Sequence, residues 1–321
     1  MLICPACKSA LASPEGKAAS CRCGAVYPRL ASGGIDFLAG MEFPDFVLDP
    51  ADPVQRRQLE EEAAGVSWRI THFILPLMGR YRRSAHQAAE GSSALDCGCG
   101  NGISVDALRH HGVDAWGIDA GGARHQQWRD RISREYLHSA DALRLPFADR
   151  IFDAVVSSGL IEHIGIHEEE TQRYRSRRLP DCHSRRRQFI AELVRVVKPQ
   201  GFILLDHPNG AFPIDFWHGG RPGSFRLHAP FGDMLPRFRE IAGYFHQADP
   251  YLHLFSLSPL RRLRFIQVRR HWYGKVFAPA MGLWLSLLDR QPLSFLCRTF
   301  LNPYLVTIAT RQADAADWIH G

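Results

Sequence analysis

Short apolar runs separated by amphipathic stretches set the pattern of this chain from residue 90 onward. The runs at 93–97, 114–118, 152–157 and 201–206 are five or six residues long and mostly apolar, the signature of core strands, and 135–138 is read as a further strand in the same series. Between them, apolar residues recur at helical spacing over 101–111, 122–133 and 185–197. Later in the chain the pattern predicts a helix at 258–264, a strand at 264–269 and a last strand at 304–310. Strands that alternate with helices predict an α/β fold, a doubly wound and mostly parallel sheet with helices on both faces. Ligands of such sheets sit at the carboxyl ends of the strands, which places Gly98, Asp119, Asp141 and Ser158 at one site. Ahead of the sheet, 55–64 and 68–89 have helical periodicity, broken near Gly65 and Pro76, and a Pro- and Asp-rich linker covers 40–55.

The loop after the first strand carries the most chemistry. It reads Ala94-Leu95-Asp96-Cys97-Gly98-Cys99-Gly100-Asn101-Gly102, three glycines alternating with other residues and leading into a helix. Glycines let a backbone turn sharply and approach a ligand closely, and the helix N-terminus adds unpaired amides. Together these form a nucleotide cradle. Asp96, two residues before the first glycine, is placed to orient the loop or a ligand ammonium. Asp119 ends the next strand about 20 residues on, the place of an acid that receives ribose hydroxyls. Asp141, in Ser139-Ala140-Asp141-Ala142-Leu143, is placed to accept from an adenine amino group.

This ordered set resembles the class I S-adenosylmethionine-dependent methyltransferases of the small-molecule and quinone-methylating type. The matching pieces are Leu95 to Gly102, Gly117-Ile118-Asp119, Asp141 to Phe147, Phe152 to Ser157, Ile161-Glu162-His163-Ile164 and Val196-Val197-Lys198-Pro199-Gln200-Gly201. Gln200 stands where that family usually has a second glycine. The resemblance implies a Rossmann-like seven-stranded sheet whose last two strands form an antiparallel hairpin at the edge. It also implies S-adenosyl-L-methionine as methyl donor, with Asp96, Gly98, Cys99, Gly100, Asn101, Asp119, Ala120, Asp141, Ala142 and Ser158 as the cofactor-binding residues. His163 follows the fourth strand, where the acceptor would sit, and is the candidate base. Glu162 beside it would hold its tautomer or bind a cation. In the similar ubiquinone-pathway O-methyltransferases a Glu-x-x-Glu-His sequence can bind magnesium; here the first of those positions is Gly159. In this topology His207 and Asn209 point toward the pocket, and Trp68, Arg69 and His72 on the preceding helix are further candidates to face it.

The N-terminal segment has different chemistry. Cys4-Pro5-Ala6-Cys7 and Cys21-Arg22-Cys23-Gly24 bring four cysteines within twenty residues, a set that suits a closed tetrahedral zinc site. About 40 residues bury too little to fold alone, so a metal clip would stabilise them. The second pair is one residue tighter than the usual spacing, and a metal-free ribbon remains the alternative. Residues 1–39 resemble the zinc-ribbon family that includes methyltransferase-activator proteins, through Leu2 to Cys7, Leu11, Cys21, Cys23, Tyr27-Pro28 and Gly34 to Leu38. The resemblance implies structural Zn2+ on Cys4, Cys7, Cys21 and Cys23.

Composition narrows the function classes. The chain has 321 residues, enough for one large domain and an appendage, and a net charge of +6, too modest to argue for nucleic acid by itself. Met1-Leu2-Ile3 runs straight into Cys4 without a signal-like pattern, and the longest apolar stretch, Val276 to Leu288, is 13 residues with Pro279 inside. A cytoplasmic protein is expected, its eight cysteines serving as thiols or ligands. The expected organisation is a zinc-ribbon-like module over 1–40, a linker and covering helices over 41–90, and a methyltransferase domain over 91–312. Two insertions on the substrate side are expected within that domain, at 165–187 and 209–254. The first holds Arg173, Arg175, Arg177, Arg178, Arg185, Arg186 and Arg187, which would suit an anionic acceptor. The second holds Pro213 to Gly220 and His228-Ala229-Pro230-Phe231. Trp272 to Phe300 reads as a packed helix or as a segment touching a membrane or lipid tail. These features favour methyl transfer to a small-molecule, lipid or glycan acceptor, on oxygen. RNA is the alternative acceptor, although no Asn-Pro-Pro-Tyr-like motif follows the fourth strand, and a catalytically silent partner-binding protein is the second alternative.

Overall fold

A computed structural model describes residues 2–12, 18–38, 40–41, 43, 51, 53–84, 91–169, 175–218, 225–227, 234–258, 272–288, 290 and 292–320. Its centre is a seven-stranded sheet built from β3 (Ser93–Cys97), β4 (Asp114–Asp119), β5 (Leu137–Ser139), β6 (Phe152–Ser158), β9 (Val197–Pro208), β12 (His253–Leu257) and β13 (Tyr304–Thr310), in the order β12-β13-β9-β6-β3-β4-β5. The pairs β3/β4, β3/β6, β4/β5 and β6/β9 are parallel, and β13 runs antiparallel to both β9 and β12. This is the expected Rossmann-like α/β sheet. Its helices are α1 (Pro53–Arg69), α2 (Leu75–Ser84), α3 (Ile103–His110), α4 (Gly122–Gln127), α5 (Cys182–Val196), α6 (Phe238–Ala248), α7 (Trp272–Leu288) and α8 (Ala315–His320).

The pleat sorts the strand residues onto two cores, because successive side chains of a strand point to opposite faces. Leu95, Cys97, Val155, Ile203 and Leu205 pack with Phe189, Ile190 and Leu193 of α5 and Phe245 of α6. Their neighbours Ala94, Ala154, Val156, Phe202 and Leu204 pack on the other side with Leu77 and Tyr81 of α2, Val105 and Leu108 of α3 and Trp318 of α8. The sheet is thus covered on both faces.

Helices α1 and α2 are joined by a π-helical turn over Ile70–Ile74. Pro76 lies just beyond it; proline offers no amide and its ring crowds the carbonyl four residues back, so the wide turn relieves a continuous helix of that conflict. The break expected at Gly65 does not occur, and α1 runs through it.

The expected order of the last strands needs correction. The strand partnering β13 is β12, at 253–257, and helix α6 precedes it. The segment 209–254 therefore includes α6 and the start of a sheet strand as well as covering elements. The strand expected at 264–269, and the helix before it from residue 259 on, lie outside the described residues, as do residues 42, 44–50 and 52 of the 40–55 linker. The insertion at 165–187 is a hairpin, β7 (Ile166–Glu169) and β8 (Arg175–Arg178), followed by the first turns of α5.

The N-terminal segment forms the hairpin β1 (Ala18–Ser20) and β2 (Val26–Pro28), and it docks on β5. The Phe37 amide donates to the Ser139 carbonyl at 2.8 Å, and the Ser139 amide donates to Ile35 at 3.0 Å. The Ile35 amide donates to Nδ1 of His138 at 3.0 Å. Burial holds that imidazole down to about 3, so it stays the neutral acceptor this contact requires. Gly34 permits the approach, since a Cβ there would lie 1.8 Å from the Leu137 carbonyl oxygen.

Candidate active site

The donor side is built by β3, α3 and β4. The amides of Gly98 and Cys99 both donate to the Ile118 carbonyl at 2.9 Å, which folds the loop back over the end of β4. Gly102 caps α3 at φ +78, and a Cβ on it would meet Leu137 Cδ1 at 2.5 Å, so only glycine fits this close turn. The Asn101 side chain accepts from the Ile103 amide at 3.2 Å and anchors the first turn of α3. Asp119 ties the two loops together. Its Oδ2 accepts from the Gly100 amide and its Oδ1 from the Gly121 amide, both at 2.9 Å. A carboxylate accepts about four hydrogen bonds, so these two hold Asp119 in place with capacity for ribose hydroxyls.

Asp96 lies beneath the loop, 7% exposed, and accepts from the Ser104 hydroxyl. Burial raises its carboxyl to about 6, with Asp119 and Asp206 adding to the rise and the Ser104 bond and Arg69 opposing it. Asp141 receives the Leu143 amide at 2.8 Å, which shapes the loop after β5. Ala120 and Ala142, in the loops after β4 and β5, are only partly buried. Cys99 contributes packing beneath the loop, with a buried thiol pushed well above its ordinary value.

A second cluster, on the side where the acceptor is expected, lies at the ends of β6 and β9. Arg69, the last residue of α1, reaches across to Asp206 of β9, Nη2 to Oδ2 at 2.7 Å, and donates to the Ser158 hydroxyl. Asp206 also accepts from Ser158 at 2.5 Å and from the Tyr304 hydroxyl at 2.8 Å. Ser158 is therefore engaged in a network that ties four elements together. Trp68 and His72 instead stack on each other, with ring centroids 4.9 Å apart.

Beyond this network lie Glu162 and His163. The Glu162 side chain is 1% exposed, and its Oε2 has no hydrogen-bond partner among the described residues. Burial raises its carboxyl pKa, against the pull of His163 and His218. The tautomer of His163 is held by Glu168 of β7, and not by Glu162 as expected: Nδ1 lies 2.5 Å from Glu168 Oε1. Burial works against protonating this ring, but the Glu168 hydrogen bond and the charges of Glu162 and Glu168 outweigh it and raise its pKa. His218 faces His163, with ring centroids 5.2 Å apart. Its Nδ1 lies 2.9 Å from Oδ2 of the fully buried Asp215, which also accepts from Arg226 at 2.9 Å. Burial alone would raise the Asp215 carboxyl, but these bonds and the Trp217 amide draw it far below the usual range. Asp215 belongs to β10 (Ile214–Asp215) and Arg226 to β11 (Arg226–Leu227), a short hairpin after β9.

Several expected pocket residues prove structural. His207 is buried, its Nδ1 donating to the Pro208 carbonyl at 2.8 Å, and burial lowers its pKa to about 4. Asn209 donates to Thr299 and Asn302 carbonyls at 2.9 and 2.7 Å and fixes the turn before β13. Of the arginine-rich segment, Arg186 is buried and grips the carbonyls of Glu162, Ile164 and Met234 at 3.0, 3.2 and 2.5 Å. Arg178 pairs with Glu240 at 2.7 Å. Arg175, Arg177, Arg185 and Arg187 remain exposed, while Arg173 and His228-Ala229-Pro230-Phe231 lie outside the described residues. The Asp206 network and the His218–Asp215 pair have no counterpart in the sequence reading. The nearest signal is the His- and aromatic-rich run 213–218.

The four N-terminal cysteines converge. Cys4 and Cys23 sulfurs are 3.8 Å apart, Cys7 and Cys21 sulfurs 3.4 Å, and all four lie within 4.8 Å of one another. Tetrahedral zinc with bonds of about 2.3 Å sets its sulfurs about 3.8 Å apart, so the donor set fits this metal. Hydrogen bonds, first from Ser9, lower the Cys7 thiol to about 6. At Cys21 the Cys23 backbone bond is outweighed by burial and by the neighbouring thiols of the cluster, which push that thiol up to about 12, so the metal-free cluster shares protons and gives them up only when a cation binds.

The fold and the donor loop define a nucleotide-binding domain of the Rossmann type. Residues 95–205 match the family described as "Methyltransferase domain", which together with the relatives below supports a class I S-adenosylmethionine-dependent methyltransferase. It is similar to a protein of Mycolicibacterium smegmatis described as a probable S-adenosylmethionine-dependent methyltransferase, 29% identical over 52% of this chain and 55% of that one. It is 32% identical to the tRNA (carboxymethyluridine(34)-5-O)-methyltransferase of Arabidopsis thaliana over 36% of this chain and 24% of the plant protein. A ubiquinone biosynthesis O-methyltransferase of Methylococcus capsulatus is 29% identical over 43% of this chain and 52% of the relative. The matches thus span about half the length of two relatives and a quarter of the third.

Proposed function

We propose that this protein transfers a methyl group from S-adenosyl-L-methionine to an oxygen of a small-molecule, lipid or glycan acceptor. The observation that carries this reading is the juxtaposition of two sites on one sheet. The loop tied by Asp119 closes the ends of β3 and β4, and the Glu162–His163 pair stands beyond the end of β6. In this reading the loop amides and Asp119 hold the ribose end of the donor, Asp141 the adenine, and Asp96 the ammonium. The donor supplies the methyl group as a sulfonium. Most of the acceleration comes from holding an acceptor oxygen in line with the methyl carbon, out of water. The hydroxyl proton passes to His163, held in one tautomer by Glu168. The new O–C bond forms as the S–C bond breaks, and its electron pair stays on sulfur.

The cysteine cluster holds structural zinc, with all four positions filled by the chain and no part in the chemistry. A reducing, cytoplasmic setting belongs to this reading, because those thiols must not pair as disulfides. No helix among the described residues is long and apolar enough to cross a membrane. The kinship with a tRNA methyltransferase keeps RNA as the second reading.

Incubating the protein and labelled donor with a lipid and small-molecule extract, and separately with total RNA, decides between the two. Label in the extract, released by alkali from a methyl ester or by hydriodic acid from an alkali-stable methyl ether, is expected; label confined to RNA would overturn the acceptor class. Failure of S-adenosylhomocysteine to bind would overturn the donor.

A further inference from the structure

We propose that α7 and the 3-10 turn after it (Leu293–Arg298) dock the protein on the surface of a bilayer that carries anionic lipids. Helix α7 is apolar on two faces. Met281, Leu285 and Leu288 share one face by their spacing and pack with Cys297 and Leu296 of the turn and with Trp217. That face serves the fold. Val276, Ala280, Leu283 and Trp284 fall at i, i+4, i+7 and i+8 on a second face, and all four are exposed, Leu283 at 65%. Leu293, Phe295 and Phe300 carry the apolar surface through the turn and just past it, with Phe295 61% exposed. Single apolar residues at a surface are ordinary, whereas a stripe that continues over two adjoining elements marks an interaction site.

Charge selects the occupant. From 259 to 300 the sequence holds eight Lys or Arg and a single acid, Asp289, an excess of seven. The whole chain carries +6, so the rest of the molecule is close to neutral. Exposed apolar residues set among clustered Lys and Arg suit the interface of an anionic bilayer, where the apolar groups enter the acyl boundary and the cations meet headgroup phosphates. A second copy of the chain on the same face would set this positive segment against itself. Trp284 also fits the interface. Its Nε1 donates to the Leu301 carbonyl at 3.1 Å, so the exposed ring can enter an apolar layer without an unpaired N–H. No helix among the described residues is long and apolar enough to cross a membrane, so α7 would lie on the surface.

The docking face is linked to the proposed acceptor side through one residue. Trp217 packs on the inner face of α7 and also against Tyr304, with ring centroids 4.6 Å apart. The Tyr304 hydroxyl belongs to the Asp206 network, and His218, next to Trp217, faces His163. On β11 Arg226 turns to the buried Asp215, while Phe225 and Leu227 on either side of it are exposed. This names a class of acceptor, a part of the inference that rests on the proposed methyl transfer: a lipid that keeps its tail in the bilayer and presents a hydroxyl at headgroup level.

The full chain, with its cysteine cluster loaded with zinc, is mixed with vesicles of phosphatidylcholine alone or of phosphatidylcholine and phosphatidylglycerol in a two-to-one ratio, and bound protein is separated by flotation. Binding to the mixed vesicles is expected, at least tenfold weaker on phosphatidylcholine alone and weakened again by high salt. Leu283→Glu and Phe295→Glu are each expected to weaken it at least tenfold, whereas Ile132→Glu, at an exposed apolar residue elsewhere, leaves it unaltered. S-adenosylhomocysteine affinity, measured on the same samples, is expected unchanged and reports that each variant is folded. No flotation with the mixed vesicles, or flotation that Leu283→Glu and Phe295→Glu both leave unaltered, overturns the docking face. A dimer in free solution that Leu283→Glu converts to a monomer assigns the face to a second copy and overturns it as well. Flotation of a protein that fails to bind S-adenosylhomocysteine overturns the methyl-transfer reading and leaves the docking face standing.

Discussion

The proposed donor and acceptor sides of this site are assembled by opposite means. On the donor side each contact joins segments that are neighbours in sequence: Gly100 meets Asp119 nineteen residues away, and Asp119 meets Gly121 two residues away. On the acceptor side Asp206 gathers Arg69, Ser158 and Tyr304, with Ser158 48 and Tyr304 98 residues distant. One donor serves the whole class, so a local unit of strand, loop and helix can be kept intact. In the proposed reading the acceptor surface is put together from helix α1, two hairpins and the ends of two strands, elements far apart in sequence. Adaptation of such an enzyme to a new substrate therefore works through long-range contacts, while the cofactor rests on short-range ones.

Four measurements would break or sharpen that contrast. The largest effect is expected from Asp206→Ala, which strands the Arg69 guanidinium without its buried partner. Breaking such a pair costs about 3 kcal/mol, to be read as a lower urea midpoint with an unchanged slope. A near-neutral result would mean that the acceptor network carries no structural load. Next, His163→Ala is expected to reduce turnover of an identified acceptor by about a hundredfold, about 2.7 kcal/mol, with S-adenosylhomocysteine affinity unaltered. A joint loss of both would show that the two sides are one unit. Asp119→Ala should do the reverse: donor affinity weaker by about tenfold or more, about 1.4 kcal/mol, with the unfolding midpoint little changed. Equal calorimetric affinity would remove the ribose assignment.

The smallest effect concerns pH. Burial raises the Asp96 carboxyl to about 6 in the free protein. A ligand ammonium favours its ionised form, so donor binding releases a proton, and affinity rises as the pH climbs through about 6 and then levels off. The gain between pH 5 and 7 is bounded at about tenfold for complete coupling. Titrations near pH 6 in buffers of different ionisation enthalpy would show the released proton; identical heats would place the ammonium elsewhere.

The same contrast explains what could be read from sequence. The strands and helices from 93 to 206 announce themselves because apolar period and glycine position are local signals. The late strand was misplaced for an equally physical reason. The segments 253–257 (His-Leu-Phe-Ser-Leu) and 264–269 (Arg-Phe-Ile-Gln-Val-Arg) carry the same order of polar and apolar residues, and that pattern does not say which one pairs with β13. Arg186 reads in sequence as one more charge of a basic surface, yet it is a buried brace for the backbone of Glu162, Ile164 and Met234. Charge gives the sign of a side chain but not its partner. Asp206 sits between Leu205 and His207 in a buried strand and reads as a polar interruption until α1 and β13 are seen to converge on it.

The docking of residues 35–37 beside β5 bears on how the molecule behaves in a crowded solution. A three-residue strand at the end of a sheet would otherwise present bare amides and carbonyls, a template on which a second chain could add its own strand. The N-terminal segment occupies that template within the same chain. At the opposite end, Arg298 donates to the Leu254 carbonyl of β12 at 2.6 Å. Among the described residues both ends of the sheet are thereby guarded, one by a module and one by the Arg298 guanidinium. Loosening the cysteine cluster would then register first as self-association, before any loss of the chemistry on the far side of the sheet.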